Sequence, residues 1–323
     1  QYKRRPVIIN NWEATYFDFD DDKLVSIARE AAGLGVDMLV MDDGWFGKRD
    51  SDTSGLGDWF VNTGKLKGGL APLCRRINEL GMKFGIWFEP EMVSEDSDLY
   101  RTHPDWCLHI PGRKPVRSRF QLVLDMSRPD VREYLFQSIS AILKSANIEY
   151  VKWDMNRHLN DVWSALLPAG RQGEAYHRHI LGVYELLERL TAAFPHVLLE
   201  GCSGGGGRFD AGMLYYSPLI WCSDNTDAID RIDIQYGTSF CYPMSAISAH
   251  VSACPNHQTG RSTPFHTRGV VALTGNFGYE LDPGKLSKEE KEEIRRQTAL
   301  YKKWYELLAW GDYYRLTNPF ANR

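Results

Sequence analysis

One pattern governs what this chain can fold into. A short apolar run ends in a polar or charged residue, a loop follows, and then a stretch of helical period begins. The pattern recurs at Pro6–Asn10, Met38–Asp43, Lys83–Glu89, Gln121–Asp125, Tyr150–Asp154, Val197–Glu200, Leu219–Asp224 and Ser245–His250. Each run is apolar almost throughout, as a parallel strand covered on both faces must be. Between the runs the 3.6-residue period returns. Asp21–Leu34 follows an acidic run able to cap it and repeats Leu24, Ile27, Ala28 and Ala31. Leu70–Leu80 stops at Gly81, Pro129–Ala146 carries proline in its first turn, and Glu174–Phe194 halts against Pro195. Asp227–Tyr236 and Thr267–Leu273 are shorter, and Lys288–Trp310 is the longest. Strands alternating with helices in this way predict an α/β fold, a closed (β/α)8 TIM barrel rather than an open sheet. No linker divides the chain, so residues 1–323 are expected to be one domain.

Composition narrows the function classes. The formal net charge of −4 leaves no basic footprint, so no nucleic acid is expected as a partner. No apolar stretch is long enough to span a bilayer, so no membrane is expected either. The six cysteines are scattered and none sits in a C-x-x-C pair, which predicts free thiols in a reducing, cytoplasmic compartment rather than a zinc site. The opening QYKRRPVIIN has no apolar signal region and reads as the start of a mature or excised domain.

In a (β/α)8 barrel the site lies at the C-terminal ends of the strands. Those ends read Asn10–Asn11–Trp12, Asp42–Asp43–Gly44–Trp45, Trp87–Phe88–Glu89, Asp125, Lys152–Trp153–Asp154, Glu200–Gly201–Cys202, Trp221–Cys222–Ser223–Asp224 and His250. Carboxylates accept hydroxyl protons and tryptophan rings cover the apolar faces of a sugar, so this rim suits a neutral, hydroxyl-rich ligand. Two carboxylates on either side of a glycosidic bond can hydrolyse it, and Asp154 and Asp224 are the pair in view. Asp42, Asp125, Asp154, Glu200 and His250 could instead be read as ligands of a metal-dependent hydrolase or lyase. The run Gly204–Gly207 lacks the flanking Lys-Ser/Thr of a nucleotide loop and reads better as close backbone approach to a ligand.

Six blocks carry a family resemblance: LVMDDGWFGKRD, GIWFEPEM, HPDW, YVKWDMNR, EGCSGGGGRFD and WCSDNTDAIDR. Together they resemble glycoside hydrolase family 36, in particular its bacterial α-galactosidases acting on raffinose and melibiose. The resemblance covers nearly the whole chain. It implies that Asp154 is the nucleophile forming a galactosyl-enzyme, and that Asp224 is the acid/base of a retaining double displacement. Asp227 is the rival for the second role; it falls farther from the strand tip, where a carboxylate suits the start of a helix. Asp42 and Asp43 resemble the pair that accepts bonds from the C4 and C6 hydroxyls, with Lys152 and Arg119 as cationic donors. Asn156 and the turn from Cys202 to Gly204 resemble the contacts near C2, and Trp12, Trp87 and Trp221 the pocket walls. No cofactor and no metal are implied.

Members of that family carry a large β-sandwich before the barrel and a small β domain after it. This chain is expected to correspond to the catalytic barrel alone, with galactose and α-galactoside oligosaccharides as its ligands. A homo-oligomer is compatible with the resemblance, and so is a non-catalytic galactose-binding barrel.

Overall fold

In the computed structural model, which describes residues 4–321, parallel strands close into an eight-stranded barrel. The strands are β1 Ile8–Asn10, β2 Met38–Met41, β3 Lys83–Phe88, β4 Tyr150–Trp153, β5 Leu198–Gly201, β6 Leu219–Trp221, β7 Ile247–Ser252 and β8 Asn276–Glu280. Each pairs with its neighbours in chain order, and β8 closes on β1 through Ile8↔Gly278 and Ile9↔Tyr279.

The eighth strand is not the one read from the sequence. Within Gln121–Asp125 only Leu122–Val123 is extended, and it pairs antiparallel with Met92–Val93 in a separate ribbon. The barrel has no room for it, because β3 pairs directly with β4 from Gly85↔Tyr150 to Phe88↔Trp153. Its place is taken by Asn276–Glu280, whose mixed NFGYE composition hides a fully buried strand. Gly278 is required there: a Cβ would stand 2.7 Å from His250 Cδ2 and 2.9 Å from the Ile8 carbonyl oxygen.

Successive residues of a strand point to opposite faces, and this sorts the chemistry. Outward residues such as Ile9, Leu39, Met41, Phe84, Ile86 and Val151 pack against the helices in one continuous core. Inward, Ile8, Met38, Val40, Tyr150, Leu198 and Leu219 plug the lower barrel. Two residues further along the same face come Asn10, Asp42, Lys152 and Trp221, so the inner surface turns polar at the C-terminal rim.

The helices start and stop close to where their sequence signals lie. Asp21–Ala32 is capped by Asp20, whose side chain accepts the Lys23 N–H at 2.8 Å. Leu70–Asn78, Pro129–Ser145, Ala175–Ala193, Ala228–Thr238 and Phe265–Ala272 follow, and Lys288–Trp310 opens with a capping box between Ser287 and Glu290. Among the described residues no helix is long and apolar enough to cross a membrane. All six cysteines are free, four of them buried.

Candidate active site

The polar rim encloses a pocket of about 200 Å³. That is below the roughly 300–1,000 Å³ of sites for drug-sized ligands, and suits a single sugar ring. A larger cleft of about 650 Å³ opens near Arg5, Lys83 and Glu149, at the strands' N-terminal ends. In this architecture that face serves stability, and the carboxylates singled out above do not line it.

Asp154 follows β4 and is fixed by four N–H donors. Its Oδ1 accepts the backbone N–H groups of Met155 (2.8 Å) and Gly204 (3.3 Å), and its Oδ2 accepts Asn156 Nδ2 (2.8 Å) and Trp87 Nε1 (3.2 Å). Both carboxyl oxygens are therefore held in one orientation. Behind them lies Glu89, fully buried, bonded to the Asn156 N–H at 2.5 Å and to Asn156 Nδ2 at 3.0 Å. Burial, and then the Asp154 charge, push Glu89 up to about 8.

Asp224 lies beyond β6 and lines the same pocket. Trp221 Nε1 donates to its Oδ1 at 3.1 Å, and Gln258 Nε2 donates to its backbone oxygen at 2.7 Å. Burial, and then repulsion from Asp154, raise its carboxyl to about 6. The side chain is nonetheless open to the pocket, and water on that side screens the effect. The upward direction is what matters: a raised carboxyl keeps its proton to higher pH than an ordinary one, as an acid catalyst must. Asp227 behaves otherwise. Burial would raise it, but hydrogen bonds from Thr259, the Asp230 and Ile229 amides and Arg261 bring it below the ordinary carboxylate value. It caps Ala228–Thr238 and does not line the pocket.

The opposite wall is made by β1, β2 and β4. Lys152 Nζ lies 2.8 Å from Asp42 Oδ2, which also accepts Asn10 Nδ2 at 2.6 Å. The partner of Lys152 is thus Asp42 rather than Asp154. Asp43 is gripped by Arg49: Nε reaches Oδ1 at 3.0 Å and Nη2 reaches Oδ2 at 2.8 Å, with Arg49 almost fully buried. Burial raises Asp43, and Arg49 opposes that rise.

Trp12, Trp87, Arg119, Lys152, Asn156 and Trp221 all line the pocket. Arg119 does so from an exposed loop, in a left-handed conformation (φ 50°). Neither Cys202 nor Gly204 is in the lining: Gly204 is exposed and reaches the site through its N–H on Asp154, whereas Cys202 is buried, and burial, and then the charges of Asp154 and Asp224, hold its thiol well above its ordinary value. The tryptophans at strand ends divide. Trp45 and Trp153 are wholly buried, donating to the Trp87 carbonyl and to Glu91 Oε1, and belong to the core.

The donors read as metal ligands are dispersed. Asp125 accepts from Ser127 and Ser164 away from the pocket, Glu200 is sealed inside the barrel beside Tyr150, and His250 contacts Glu280. Among the described residues no three His, Cys, Asp or Glu side chains are grouped to hold a metal ion.

The melibiase family profile matches residues 1–311. The chain belongs to the melibiase family. Among its melibiase relatives, the bifunctional α-galactosidase/sucrose kinase AgaSK of Mediterraneibacter gnavus is 61% identical over 321 residues, covering 99% of this chain and 34% of that protein. α-Galactosidase AgaA of Geobacillus stearothermophilus is 58% identical over 318 residues, covering 98% of this chain and 44% of that protein. The crystal structure of AgaA superposes with a TM-score of 0.98 at 57% identity, covering 99% of this chain and 45% of the other. The chain therefore spans less than half the length of these relatives.

Part of this melibiase pocket escaped the sequence reading. Glu280, Glu13, Thr226, His257 and Gln258 also line it. Glu280 ends the strand hidden by its composition. Glu13 sits in the single helical turn Trp12–Thr15, where Oε1 accepts Thr226 Oγ1 at 2.7 Å and Oε2 the Ala253 N–H at 3.3 Å. Burial, and then the Glu280 charge, push Glu13 to about 8. Arg49 was visible only as one letter of the LVMDDGWFGKRD block; nothing in its spacing signals that it pairs with Asp43.

Proposed function

We propose that this barrel is the catalytic domain of a retaining α-galactosidase that removes terminal α-linked galactose from raffinose- and melibiose-type oligosaccharides. The observation that carries the reading is that Asp154 and Asp224, held in unlike surroundings, line one sugar-sized pocket. Asp154 is locked by four N–H donors, and Asp224 is raised and open to the ligand. In the first step Asp154 attacks the anomeric carbon while Asp224 gives its proton to the departing glycosidic oxygen. In the second, Asp224 takes a proton from water, which attacks the same carbon, releases galactose and restores Asp154. Asp42 and Asp43 accept from the hydroxyls that distinguish galactose from its C4 epimer, since an epimer would leave those buried oxygens unpaired.

Further support comes from the relatives. AgaA variants have been crystallised with raffinose and with stachyose. The aspartate replaced by asparagine in the first and the one replaced by alanine in the second are as far apart in that chain as Asp224 is from Asp154 here. Residues 1–323 are proposed to act as one catalytic unit. The test is turnover of an α-galactoside by Asp154→Ala, which should be abolished, and by Asp224→Gly, which azide should partly rescue. Near-normal turnover by the first variant, or rescue of Asp227→Gly instead of Asp224→Gly, would overturn the assignment.

A further inference from the structure

A cavity of about 200 Å³ holds one ring, so the rest of an oligosaccharide must lie at its mouth. Where it lies follows from Asp224, whose proton goes to the oxygen joining the two sugars. The surface continuing outward from Asp224 is the segment His257–Gln258. Gln258 is tied to Asp224 by its 2.7 Å bond to the backbone oxygen, and its Oε1 accepts the Thr226 N–H at 3.2 Å. His257, next in chain, lines the pocket while exposing its ring to solvent.

The ring is held from behind. His257 Nδ1 lies 3.3 Å from Oε1 of buried Glu13, and the same oxygen accepts Thr226 Oγ1 at 2.7 Å. With Nδ1 committed, Nε2 is the ring nitrogen left to meet a ligand, and no hydrogen-bond partner for it exists among the described residues. Tyr16 packs edge-on against the imidazole, ring centroids 6.1 Å apart, and edge-on against Trp12 at 5.2 Å. Tyr16 is 41% exposed and holds a left-handed backbone (φ 48°), a conformation costly for a bulky residue and concentrated at functional sites. Trp12 belongs to the galactose pocket, so Trp12, Tyr16 and His257 form a continuous aromatic edge from the first sugar to solvent.

We infer that His257 and Tyr16 form the recognition surface for the leaving-group sugar, with His257 Nε2 hydrogen-bonded to one of its hydroxyls and the Tyr16 ring beneath its apolar face. The inference rests on the α-galactosidase reading. It makes both residues determinants of specificity that do not take part in bond breaking.

The test compares two substrates that share galactose and differ in what leaves: raffinose, with a sugar leaving group, and α-galactosyl fluoride, with none. Loss of one hydrogen bond or one stacking contact is worth about tenfold. The ratio of kcat/KM for raffinose to kcat/KM for the fluoride should therefore fall about tenfold in His257→Ala and in Tyr16→Ala. Ki for free galactose reports the first subsite and should hold in Tyr16→Ala, whose side chain lies outside the pocket lining. An unchanged ratio, whether both substrates lose activity together or neither does, would overturn the inference. Wild-type protein that hydrolyses neither substrate would instead overturn the α-galactosidase reading beneath it.

Discussion

Replacing Arg49 with Met tests how the hydroxyl-binding carboxylates are held. Arg49 places two nitrogens on Asp43, with contacts at 2.8, 3.0 and 3.2 Å, and a third on the Ser54 carbonyl at 3.0 Å. Both partners are buried. Removing one partner of a buried ion pair typically costs about 3–5 kcal/mol, because the other charge is left without compensation. At roughly 2 °C per kcal/mol for a domain of this size, Tm should fall by about 6–10 °C near neutral pH. The loss should depend on pH with a definite sign. Asp43 is already raised by burial, and Arg49 is the main influence lowering it, so without Arg49 its folded-state pKa climbs further. A carboxyl whose folded pKa exceeds its unfolded value contributes stability that is complete below the unfolded value, near 4, and is lost as pH rises through the folded value. The Tm gap between wild type and Arg49→Met should therefore be small at pH 4.5 and widen towards pH 7.5, as read by calorimetry. A gap that is constant with pH, or a variant as stable as wild type at pH 7.5, would refute the reasoning.

Other outcomes follow from single contacts. Asp224 must be protonated to act as the acid, so kcat/KM should decline as pH rises past about 6. Glu280 is one of the charges raising Asp224, so Glu280→Gln should move that decline to lower pH, as a pH–rate profile would show. Gly205→Ala should reduce turnover at least a hundredfold: at φ 85° its Cβ would stand 2.7 Å from Ser223 Cα and from the Asp224 nitrogen, backbone that cannot yield without moving Asp224. Asp227→Ala should cost about 0.5–2 kcal/mol in denaturant titration as a lost helix cap, yet keep measurable turnover.

The barrel was legible because burial on both faces leaves a signature of continuous apolar runs, and seven of those singled out are barrel strands. The signature failed where its cause was absent. Leu122–Val123 is as apolar as a barrel strand, but composition carries no information about partners, and its partner is the antiparallel Met92–Val93. Conversely, β8 keeps only Phe277 and Tyr279 as large apolar residues, because its inner face is needed for Gly278 against β7 and for Glu280 in the pocket. That strand was lost, and Glu280 with it. Carboxylates at strand tips were visible as a ring. The contacts that orient them were not: Arg49 lies only six residues from Asp43 but reaches it through a loop fold its spacing does not announce, and Glu89, visible as a strand end, meets Asn156 across 67 residues.

Retention through Asp154 requires a covalent bond to that one side chain. Incubation with a 2-deoxy-2-fluoro-galactosyl donor bearing a good leaving group, followed by proteolysis and tandem mass spectrometry, reads that bond. A single fluorogalactosyl adduct on the peptide containing Lys152–Asn156, localised to Asp154, is the predicted result. An adduct on Asp224, or full hydrolysis of α-galactosides with no trapped intermediate and inverted galactose as first product, would contradict it.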